Sequence, residues 1–61
     1  MIRKEEIEKF IGSKIGIQLS GNCYYKGILK QVKEDTIVLE FLNGKQMIVL
    51  LDKIEFLKGL E

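Results

Sequence analysis

The chain has no histidine, no proline and a single cysteine, Cys23. Without histidine, general acid–base work would fall to carboxylates or lysines, and the carboxylates stand mostly in short charged clusters such as "KEE" and "KED" that read as solvated surface. One thiol closes no intrachain disulfide, and a lone thiol without histidine is no zinc cage. Gly12 and Gly16 make neither a P-loop nor a dinucleotide fingerprint. No apolar run approaches the ~18–20 residues of a membrane span. The opening "MIRKEEIEKF" carries acids and has no apolar segment of signal-peptide length. These absences argue against an enzyme, a metal or a cofactor, and lead us to expect a reduced, cytoplasmic protein.

What remains is short and apolar. Sixty-one residues make one domain, spanning 1–61, and 46% of them are hydrophobic. A chain of this size buries only about 60% of its unfolded surface. Below about 70–80 residues, disulfides, metals or oligomerisation usually supply the missing stability. With the first two excluded, self-association is the first expectation. Ten basic and nine acidic residues leave a net charge of +1, which is not the strongly basic balance of an electrostatic nucleic-acid binder.

The apolar period divides the chain. Ile2, Ile7, Phe10 and Ile11 recur at helical spacing and predict a helix over about 2–11, ending at Gly12. From Lys14 the period is two. Ile15, Ile17 and Leu19 face inward and Gly16 and Gln18 outward, giving a strand over about 14–20. A turn at 20–22 leads to a second strand, 23–33, with Tyr25, Gly27 and Leu29 on one side and Tyr24, Lys26 and Ile28 on the other. Gly27 within it predicts a bend or a close backbone approach. "TIVLEFL" and "KQMIVLL" give strands over 36–42 and 45–51. The Asn43–Gly44 pair between them predicts a two-residue hairpin turn with positive φ at both residues. Asp52 precedes a last strand, 53–57. A helix followed by five short strands predicts a mainly β fold, a small and strongly bent five-stranded barrel.

This order resembles the Sm-like family, which includes the LSm proteins and bacterial Hfq, over about residues 3–58. Tyr25, Gly27, Leu29 and Val32 stand at the apolar and bend-glycine positions of that family's first motif. Val49, Asp52 and Ile54 match the frame of its second. Leu50 and Leu51 occupy the positions of an Arg-Gly pair that helps form the family's RNA pocket. Lys33, Glu34 and Asp35 fill the loop where LSm proteins carry an aspartate and an asparagine, and the Tyr-Lys-His run of Hfq is absent. The resemblance implies an Sm-like barrel in a homo-oligomeric ring of roughly five to eight subunits, with the fourth strand of one pairing with the fifth of the next. It also implies single-stranded RNA as ligand, as for an RNA chaperone or an adaptor in RNA metabolism.

Candidate contacts follow from both lines of reading. Tyr24 is the aromatic candidate for base stacking, with Lys26 and Lys30 on the same strand face for phosphates. Lys33, Asp35, Asp52 and Lys53 occupy, by the resemblance, loops that line the pore of a ring. Met47, Val49, Leu51, Ile54 and Phe56 are candidates for core or oligomer interface, which the sequence does not separate. The rival reading is a homo-oligomeric structural or protein-interaction module that binds no RNA.

Overall fold

A computed structural model describes residues 3–60. Ile2, expected to open the helix, lies outside the described residues. The elements are α1 (Lys4–Glu8), β1 (Lys14–Leu19), β2 (Cys23–Val32), β3 (Thr36–Glu40), β4 (Gln46–Leu50), a 3-10 turn at Leu51–Lys53, and β5 (Ile54–Gly59). The strands form one antiparallel sheet in the order β4-β3-β2-β1-β5. The sheet is open. β4 and β5 are its two edges and do not pair with each other, so the described chain is mainly β without being a closed barrel.

The period-two pattern does what burial energetics require. Ile15 and Ile17 of β1, Leu29 of β2, and Ile37 and Leu39 of β3 are fully buried, joined by Val49 and Ile54. Each such side chain contributes ~1.5–3 kcal/mol of burial free energy. The helix adds Ile7, also fully buried, with Phe10 packed at the margin. Helix α1 is shorter than the expected 2–11. It has no side-chain cap at Arg3, and so few residues hold no helix without packing. Beyond Glu8 the chain tightens instead: the Phe10 N–H donates to the Ile7 carbonyl (2.9 Å) and the Ile11 N–H to that of Glu8 (3.2 Å). Gly12, at φ +89°, then turns the chain so that its N–H donates to the Leu29 carbonyl (2.7 Å).

Gly27 is where β2 bends onto β3. A Cβ there would lie 2.7 Å from the Glu40 carbonyl oxygen, so only glycine permits this approach. Two bulges shift the alternation. One lies between Leu29 and Gln31, which lets Leu29 and Val32, three residues apart, both meet core partners on β3. The other lies opposite Glu55: Leu19 pairs with Ile54, but Gln18 pairs with Phe56.

The turns depart from expectation. The hairpin between β3 and β4 has three residues, Leu42, Asn43 and Gly44. The Gly44 N–H donates to the Phe41 carbonyl (2.9 Å) and the Phe41 N–H to that of Lys45 (2.8 Å). Only Gly44 is left-handed (φ +87°), as a three-residue loop requires, and Asn43 is not. Two consecutive positive φ values occur instead in the β1–β2 turn, at Gly21 and Asn22. Leu51, expected to end β4, opens the 3-10 turn.

Candidate nucleic-acid interface

The strand registers assemble an outward surface on β2, β1 and β5. Tyr24, Gln18 and Phe56 stand in one row across the three strands, and Lys26, Gly16 and Lys58 in the next. Lys14 and Ile28 continue it toward the start of β1. None of these eight positions is acidic, and three are lysine. A chain of net charge +1 therefore has a basic sheet face, which composition conceals.

Tyr24 and Phe56 expose 46% and 52% of their surface. Gly16 faces outward, as the alternation predicts, but is buried because the Tyr24 ring and hydroxyl occupy the space a Cβ there would fill. The ring therefore lies over the bare backbone of β1. Strands are ~4.8 Å apart, so the Tyr24 and Phe56 backbones are separated by about two strand spacings, with Gln18 between them to donate and accept hydrogen bonds. Lys30 lies at the β2 bulge, and its ammonium stands 3.4 Å from the Glu40 carboxylate. That exposed pair contributes little to stability, but it compensates part of the charge a phosphate would meet.

The loop candidates form a second group. The Leu51 N–H donates to the Asp35 carbonyl (2.8 Å), and the Ser20 N–H to that of Lys53 (3.0 Å), which fixes the 3-10 turn between two neighbouring loops. Asp35 and Asp52 then line one groove with Glu5, Glu34, Arg3, Lys4 and Leu51. Four acids face two bases there. Lys33 and Lys53 do not line it. The groove stays charged around Leu51, and Leu50 points away from it as an exposed side chain of β4.

The residues expected as core or interface divide as well. Val49 and Ile54 are core, and Met47 and Leu51 pack against it at its margin. Phe56 is not core. The bulge at Glu55 puts it on the opposite face from Ile54, although the two stand two positions apart. The edge strands expose further apolar side chains, Ile48 and Leu50 on β4. Sequence reasoning missed Gln18, Lys14, Lys58 and the outward role of Phe56. The Leu57–Lys58 pair, which resumes the in–out alternation after the bulge, was the available signal.

Among the described residues no group of three or more His, Cys, Asp or Glu side chains is arranged to hold a metal ion, and no helix is long and apolar enough to cross a membrane. Comparison with protein-family models, with curated proteins and with solved structures found no match for this chain.

Proposed function

We propose that this chain is an Sm-like subunit that assembles head to tail into a ring of roughly five to eight copies and binds single-stranded RNA. The observation that carries the RNA reading is the outward face of β2, β1 and β5, where two exposed rings stand among three lysines, with Glu40 at its β3 border engaged by Lys30. Aromatic planes with nearby cations are what unpaired bases and their phosphates require. Assembly is supported by the open sheet: β4 and β5 present unpaired backbone edges that accept a neighbour's strand. The order of those edges agrees with the pairing the family resemblance implies. A cytoplasmic location fits an RNA ligand.

A second reading, an oligomeric module without RNA, is favoured by one observation. The loop groove at the family's RNA-pocket positions carries an excess of acid, which repels phosphate. Native mass spectrometry of the protein, purified without nuclease, separates the two. A closed oligomer carrying heterogeneous nucleic-acid mass supports the RNA reading, and the same oligomer without it supports the module. A monomer overturns the ring. Affinity for RNA is expected to fall with salt at a slope near −0.7 per phosphate contact, so about −2 for three lysines.

A further inference from the structure

The β3–β4 hairpin bounds a second depression, at the opposite end of β3 from the acidic loop groove. It is a cleft of about 480 Å³ between Lys14 and Lys26 on one side and Phe41, Leu42 and Asn43 on the other, with Ile28 and Glu40 in its lining. We propose that this cleft docks an extended peptide segment of a protein partner, one that places a carboxylate at the lysine rim and an aliphatic or aromatic side chain against Ile28 and Leu42.

Three features carry this. The first is charge complementarity. Among the described residues neither Lys14 nor Lys26 has a carboxylate within ion-pair distance, and Glu40, the cleft's own acid, is engaged by Lys30 at 3.4 Å. Among the described residues the cleft thus presents two cations without an ion-pair partner, which suits a peptide bearing acids. The second is Leu42, 93% exposed. The three-residue loop places it at the hairpin tip, where a two-residue loop would have left it in the strand. The third is that the lip is already fixed: the Asn43 Oδ1 accepts from the Lys45 N–H (3.0 Å), and the Phe41 ring packs near that of Tyr25. A preformed lip loses little conformational entropy on binding. The cleft falls within the ~300–1,000 Å³ range of small-ligand pockets, room for a few side chains. Ile28, Leu42 and the Phe41 ring supply its apolar wall, and the exposed rings of Tyr24 and Phe56 lie outside it. Lys14 and Lys26 belong to the sheet face as well, so Leu42, which lies on the cleft alone, separates this inference from the RNA reading.

The test uses the full chain in its native assembly state. A fluorescein-labelled pool of eight-residue peptides, each position drawn from Asp, Glu, Leu, Ile and Phe, is titrated by anisotropy beside a matched pool with Asn and Gln for the acids. A labelled oligouridylate is measured in parallel. The acidic pool is expected to bind saturably and the amide pool not. Leu42→Ser is expected to weaken peptide binding about tenfold while leaving oligouridylate binding within twofold. Lys14→Glu is expected to weaken peptide binding by tenfold or more. Both side chains are exposed, and circular dichroism of the variants checks that folding is kept. No saturable binding, equal binding of the amide pool, or Leu42→Ser losing oligouridylate instead of peptide would each overturn the proposal.

Discussion

The sheet face and the loop groove are both open to solvent, and both are candidates for RNA, yet they differ in charge and in shape. The face carries Lys14, Lys26 and Lys58, two half-exposed rings and no acid among its eight outward positions. The groove carries four acids against two bases and no aromatic side chain. The resemblance to Sm-like proteins points to the groove, because its loops align with the places where those proteins carry their pocket residues. Chemistry points to the face. The difference teaches that a fold frame and a binding site are separable: Gly27 and Leu29 serve the bend and the core wherever the ligand binds.

That comparison breaks most completely if the common scaffold is removed. Ile17→Ala empties a fully buried position between β2 and β5 and is expected to cost ~2–5 kcal/mol of stability in denaturant unfolding, abolishing both surfaces together. Next in size, Tyr24→Ala or Phe56→Ala is expected to cost ~1–3 kcal/mol of affinity for single-stranded RNA with unfolding unchanged to within ~1 kcal/mol. Titrations unaltered by either would remove the rings from the site. Gly16→Ala sharpens the same point more gently. The added methyl enters the space of the Tyr24 ring, so RNA affinity should fall by ~1 kcal/mol or less, with the change visible in tyrosine fluorescence. The smallest effect belongs to the groove: Asp35→Asn with Asp52→Asn should change RNA affinity by no more than ~0.5 kcal/mol, in the direction of tighter binding. A large loss in that double variant would return the site to the loops.

Much of the scaffold was legible in the sequence. Alternation located β1 and β2, apolar runs flanking Asn43–Gly44 located β3 and β4, and Gly27 announced the close approach of β2 to the Glu40 carbonyl. The candidate site was legible only in part, for reasons of backbone geometry. A bulge adds one residue and inverts the phase of everything after it, so Phe56 reads as a neighbour of Ile54 on one face when it lies on the other. The basic face was hidden for a related reason. Lys14, Lys26 and Lys58 are distant in sequence and become neighbours only through the pairings of β1 with β2 and β5. The hairpin at Asn43–Gly44 shows a subtler limit: the dipeptide marked the turn correctly, but loop length decided which residue adopts the left-handed conformation and so left Leu42 outside the strand.

The account is tested most directly by an amide NMR titration of the isotope-labelled protein with a short single-stranded RNA. The prediction is that the largest shift changes fall on Gln18, Tyr24, Lys26 and Phe56, with little change at Glu34, Asp35 and Asp52. Shifts concentrated in those loop residues, with the sheet face silent, would contradict it.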